Sequence, residues 1–125
     1  MFKQVEEFNK TVIGIDRKLG HLLEQSEEDF LIGCLHEEIE EFQAATNLVD
    51  KVDALIDLIY FAIGGLSRLG VPAEKSEAIF NVVHTKNMSK KKGVKVEREI
   101  PNSTDAFKPE GWISPEVEIK AILVG

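Results

Sequence analysis

With one cysteine, Cys34, in 125 residues, the chain can form no intrachain disulfide, which suits a reducing compartment. Zinc-type spacing is missing too, since His21 and His36 have no carboxylate spacing that would mark such a site, and His84 reads as a structural residue favoured by the dipole near a helix end. There is no glycine-rich phosphate loop, no internal repeat and no low-complexity segment. The longest apolar run, Leu58 to Leu66, is too short to span a bilayer, and no signal peptide opens the chain, so a cytoplasmic protein is expected. Bases are outnumbered, 15 against 22 acids, and the net charge of -7 argues against general attraction to nucleic acid or anionic membrane. What is present, 43% hydrophobic and 30% charged residues, describes one globular domain over 1–125 with a real core.

The charges are unevenly placed. Glu24 to Asp57 holds eleven acids and one base, Lys51, whereas Lys86 to Arg98 holds six bases and one acid, Glu97. Such asymmetry suits a ligand that is part metal-bound and part clasped by cations, as a nucleoside triphosphate is. The plain alternative for Lys91, Lys92 and Lys95 is a surface loop that keeps the protein soluble.

Helical spacing organises most of the chain. Phe2, Val5, Phe8 and Val12 predict a first helix ending near Gly14. Residues 16–23 read as a loop or a short helix. Ser26 before Glu27, Glu28 and Asp29 reads as a cap and dipole-matched first turn, and Leu31, Leu35, Ile39 and Phe42 form the stripe that follows. Glu38 falls about 60° from the centre of that stripe and Glu41 about 120° on the same side, while Glu37 and Glu40 point outward.

After a break at Thr46 to Val49, the helix from Asp50 to about Arg68 is apolar nearly all round. Its one polar strip is Asp53, Asp57, Tyr60 and Gly64. A helix of this kind is expected to be buried, and carboxylates taken out of water persist only when paired or metal-bound. Asp50 and Asp53 are accounted for as N-cap and first-turn residues. Asp57 lies too far inside for that. Leu69-Gly70-Val71-Pro72 then stops the helix and starts another, Ala73 to about Asn87, with Ile79, Phe80, Val82 and Val83 inward. Pro101, Pro109 and Pro115 exclude a long helix beyond residue 93, where a short hairpin pairing Val94 and Val96 with Glu99 and Ile100 is expected. Trp112 either stacks on a base or pins the tail to the core.

The pattern Glu37-Glu38-x-x-Glu41, then Asp53-Ala54-Leu55-x-Asp57-Leu58-x-Tyr60, resembles the all-α nucleoside triphosphate pyrophosphohydrolases, the MazG and phosphoribosyl-ATP pyrophosphohydrolase-like superfamily. Members show E-E-x-x-E on one helix and E-x-x-D on the next, binding magnesium. Here Ala54 takes the place of the second motif's Glu, and Asp53 lies one residue earlier. Asn87-Met88-Ser89-Lys90 is similar to a segment that follows the last helix in that superfamily and joins the substrate site. Residues 93–115 resemble its C-terminal extension.

The expected fold is therefore all-α, a bundle of four to five helices with an irregular extension over 92–125 and the two acidic helices antiparallel. The resemblance implies Mg²⁺-dependent hydrolysis between the α and β phosphates, with Mn²⁺ as substitute. It implies Glu38, Glu41, Asp53 and Asp57 as metal ligands, and Glu37, Glu38 and Asp53 as catalytic carboxylates. Lys86, Asn87, Lys90 and Lys108 would bind substrate. Alternatives are phosphoribosyl-ATP as substrate, or a metal-stabilised binding module without turnover. Leftover apolar helix surface and the superfamily's habit lead to a homotetramer built from dimers, or a plain homodimer.

Overall fold

The computed structural model describes all residues, 1–125, as two compact units, residues 1–76 and 77–125. The secondary structure is all-α apart from one very short hairpin.

In the first unit α1 (Phe2–Phe8) runs straight into a π-helical turn, Asn9–Ile13, which ends on Gly14 in the left-handed conformation. The extra residue per turn brings the backbone N–H groups of Gly14 and Ile15 onto the Asn9 carbonyl. Residues 16–23 form a loop rather than a helix. It is fastened by Glu27, which accepts from Arg17 Nη1 at 2.7 Å and Arg68 Nη1 at 2.8 Å, while Arg17 also donates to the Arg68 carbonyl at 3.0 Å. These groups are largely shielded, so the charge-assisted bonds hold better than a solvated pair would.

Helix α2 (Gln25–Ala44) starts one residue before the expected cap. Glu24 is the N-cap residue and its carbonyl takes the Glu27 and Glu28 N–H groups, which leaves Ser26 inside the first turn. Helix α3 (Leu48–Arg68) is capped by Asn47, whose side chain accepts from the Asp50 N–H at 2.9 Å and donates to the Asp50 carboxylate at 2.8 Å. Asp50, expected as the cap, is thus its partner in the first turn. The two helices, joined by residues 45–47, pack antiparallel. Gly65 permits the closest approach, for a Cβ there would lie 2.9 Å from Leu31 Cδ2. Helix α4 (Ala73–Met88) begins after Pro72, with Glu6 Oε2 accepting from the Ala73 N–H at 2.6 Å and so serving as a cap from α1.

The expectation that α3 is buried all round is overturned. Ala54, Ile63 and Gly65 are buried, but Val52, Leu55, Ile56 and Ile59 are exposed. Within this unit the chain supplies α1 and α2 to cover α3, and two neighbours leave one apolar side bare. No single helix is long and apolar enough to cross a membrane.

The second unit carries the rest of α4, on which Phe80 is exposed rather than inward. The hairpin pairs β1 (Lys91–Lys92) with β2 (Ala106–Phe107) antiparallel, Lys91 opposite Phe107, instead of Val94 and Val96 with Glu99 and Ile100. The longer loop is closed by Arg98, which gives Asp105 two bonds at 2.7 and 3.3 Å and holds that carboxyl down to about 2. Nor is the extension irregular to its end, because α5 (Glu116–Val124) follows directly on Pro115, a residue suited to helix starts.

Candidate active site

Glu38 and Glu41 lie one turn apart on α2, and Asp57 lies near the middle of α3. The antiparallel pairing brings one carboxylate oxygen of each within 4.8 Å of the other two. Glu38 is buried, Asp57 half-buried and Glu41 exposed, so the cluster opens to solvent on the Glu41 side. One oxygen of Glu38, Oε2, is buried without any hydrogen-bond partner. A buried charged acceptor left unsatisfied costs free energy, and a cation is the ligand its chemistry calls for.

Electrostatics agree with the geometry. Burial pushes the Glu38 carboxyl up to about 7, helped by the neighbouring Glu41 carboxyl and then by the charges of Asp57 and Asp53. Asp57 is raised by burial first, then by Asp53 and Glu41. Three crowded carboxylates, one of them buried, make an all-oxygen site that suits a hard divalent cation.

Asp53 lies outside this trio. It is exposed and lines an adjoining open cavity of about 330 Å³ with Glu41, Ala44, Ala45 and Asp50. Ala54, standing where the resembled motif has Glu, is 1% exposed, so that position contributes only packing here. Glu37 is exposed and is not part of the trio.

In the second unit Trp112 organises the basic residues. Its indole N–H donates to the Lys86 carbonyl at 3.1 Å and to Ser89 Oγ at 2.8 Å, and the ammoniums of Lys90 and Lys108 lie 5.2 and 5.1 Å from its ring centre. Of the two sequence-based readings, pinning is thus the one observed. Lys86 itself pairs with Glu118 at 3.5 Å, and Asn87 is exposed at the end of α4. Nothing in the sequence relates Lys90 and Lys108 to Trp112. Their sharing one ring could not be read from positions 18 residues apart.

The family model described as Phosphoribosyl-ATP pyrophosphohydrolase matches residues 20–87. That stretch contains Glu38, Glu41, Asp53 and Asp57 together with Lys86 and Asn87, and stops short of Lys90 and Lys108. No curated protein matches the chain.

Proposed function

The chain belongs to the phosphoribosyl-ATP pyrophosphohydrolase family, and from that premise we propose that it hydrolyses a nucleoside or deoxynucleoside triphosphate between the α and β phosphates. The products are the monophosphate and pyrophosphate, and the role is trimming a nucleotide pool. The single observation that carries this reading is the trio Glu38, Glu41 and Asp57 with its orphaned buried oxygen.

These three residues would hold the ion, with Asp53 as an optional further ligand from the adjoining cavity. Mg²⁺ bound there would supply charge neutralisation at the phosphates and Lewis-acid activation of water. If it does not ligate the ion, Asp53, exposed and acidic beside the trio, orients the attacking water and takes its proton, with Glu37 as the second candidate for that task. Lys90, Lys108, Lys86 and Asn87 offer donors to phosphate and sugar oxygens.

Pyrophosphate release from a panel of ribo- and deoxyribonucleoside triphosphates, with phosphoribosyl-ATP in the same panel, tests the reading. Phosphoribosyl-ATP is the alternative substrate, and the family's own description fits it equally well. Exclusive cleavage of that compound would replace the first. No pyrophosphate from any member would leave a metal-stabilised binding module, to which the alanine at 54 already points. The panel repeated on Asn87→Ala and Lys90→Ala should show catalytic efficiency down about ten- to a hundred-fold, the worth of one charge-assisted contact. Lys91→Ala and Lys92→Ala should alter little beyond salt dependence. Equal small effects at all four would reduce the segment to a diffuse positive field.

The bare side of α3 is proposed to be covered by a second copy, in a homotetramer built from dimers or in a plain homodimer. Supporting this is the stripe Val52, Ile56 and Ile59, exposed at helical spacing. Light scattering at micromolar concentration should report two or four chains. A monomer would leave the stripe without a purpose.

A further inference from the structure

A second cavity, about 160 Å³, opens between α1 with its π turn, α2 and α3, and is lined mainly by Phe8, Asn9, Phe30, Leu31, Tyr60 and Gly64. Phe8 and Tyr60 meet edge to face there, ring centres 5.5 Å apart and planes at 81°. Nothing in the trio of carboxylates explains it. Four of the six residues are apolar or aromatic packing groups, and the polar exception is Asn9.

Asn9 is the informative residue. It is 4% exposed, on the inner side of its helix four residues after Val5, where an aliphatic side chain would pack at no polar cost. One amide N–H is engaged by the Gly64 carbonyl at 3.2 Å. A carboxamide carries a second N–H and an acceptor oxygen besides, the combination that reads the edge of a nucleobase. The backbone around it is a π turn, a distortion that recurs at functional sites.

Charge narrows the occupant. Arg68 reaches this cavity and stacks on Phe30 at 5.2 Å, its guanidinium bonded to Glu27, whose single charge it shares with Arg17. Every other residue of the lining is uncharged, which suits a flat neutral ring. Its volume fits one ring system rather than a whole nucleotide, for pockets that enclose drug-sized ligands run from about 300 Å³ upward.

Position narrows it further. From Asp57 to Gly64 is seven residues along α3, and from Glu38 to Leu31 is seven along α2. Each is about 10 Å of helix. The cavity lining and the carboxylates thus stand about 10 Å apart along the same pair of helices, roughly the span of a sugar joining an α phosphate to its base.

We propose that this cavity is the base pocket of the substrate, in which the ring packs against Phe8 and Tyr60 and the Asn9 carboxamide reads its edge. The assignment rests on the proposed triphosphate hydrolysis, yet it can be tested without phosphate or metal. Adenosine, guanosine, cytidine, uridine and thymidine are titrated at millimolar concentration into the metal-free protein, with Phe8 and Tyr60 ring resonances observed by NMR. At least one nucleoside should shift both rings saturably. Asn9→Asp, which keeps the shape but removes the amide donors, should change the affinity ratio between the best nucleoside and the others by about ten-fold. If circular dichroism shows that variant unfolded, Phe8→Leu replaces it and should weaken the best nucleoside by about ten-fold, the scale of a lost stack.

Silence of both rings toward all five nucleosides would overturn the assignment, as would affinity ratios left unchanged by Asn9→Asp or, where it is used, a best-nucleoside affinity left unchanged by Phe8→Leu. The two ideas fail separately. Ring shifts without pyrophosphate release from any triphosphate would sink the hydrolysis and keep the pocket, whereas triphosphate cleavage with silent rings would do the reverse.

Discussion

Asp57→Ala and Glu38→Gln are each expected to cut Mg²⁺-dependent pyrophosphate release by about a thousand-fold or more, the effect of losing several kcal/mol of charge stabilisation. Both should also leave the metal-free protein as stable or more stable. The reason lies in the carboxyl of Glu38, raised from 4.5 to about 7 chiefly by burial. Its folded-state value exceeds its unfolded one, so its contribution to stability is fully present below about pH 4.5 and is lost as pH rises to about 7. Over that window the metal-free protein should lose roughly 3 kcal/mol. Glu38→Gln removes the loss. Mg²⁺ opposes it as well, because ligation requires the deprotonated form, so apparent metal affinity should climb steeply up to about pH 7. Thermal unfolding at pH 5 and pH 8, with and without Mg²⁺, measures these trends. Full Mg²⁺-dependent activity in Asp57→Ala would place the site elsewhere.

Gly70→Ala should be the most damaging single-methyl change in the first unit, at about 4 kcal/mol or more. Gly70 has φ +76°, a conformation costly for any residue with a Cβ. Space is the harder limit. A Cβ there would stand 1.9 Å from the Lys18 carbonyl oxygen and 2.5 Å from its carbon, both backbone atoms that cannot swing aside. The 16–23 loop would have to lift, breaking the bond from the His21 N–H to the Leu69 carbonyl at 3.1 Å. Urea denaturation of purified variant and parent gives the difference directly. A midpoint unchanged from the parent would mean that the loop does not lie across the end of α3.

How much of this could be read in advance depended on what periodicity encodes. Glu38, Glu41 and Asp57 were legible because two regular helices joined by a tight turn must run antiparallel, and angle around each helix then decides which acids face each other. Exposure of Val52 and Ile59 was not legible, since an apolar face looks the same whether its own chain or another covers it. Residue type does not place the cap of α3, because Asn and Asp are both favoured there. The choice fell to Asn47, whose extended backbone, φ -133° and ψ 164°, lets its side chain reach the Asp50 N–H. The hairpin register was hidden because two-residue strands carry almost no alternation to fix it. Asn9 left a faint trace, a polar residue four places after Val5 on an apolar face, but the π turn that seats it has no sequence signature.

The seating of Trp112 has an optical consequence. It is the chain's sole tryptophan, and its indole touches the Lys86 carbonyl, Ser89 and two ammoniums, all in residues 77–125. Excitation of the indole band therefore interrogates one half of the chain only. Emission colour and quenching follow the wetness and charge around Lys90 and Lys108, with no dye or label attached. The half bearing the carboxylates stays dark at that wavelength, so a change in emission reports the surroundings of Trp112 alone.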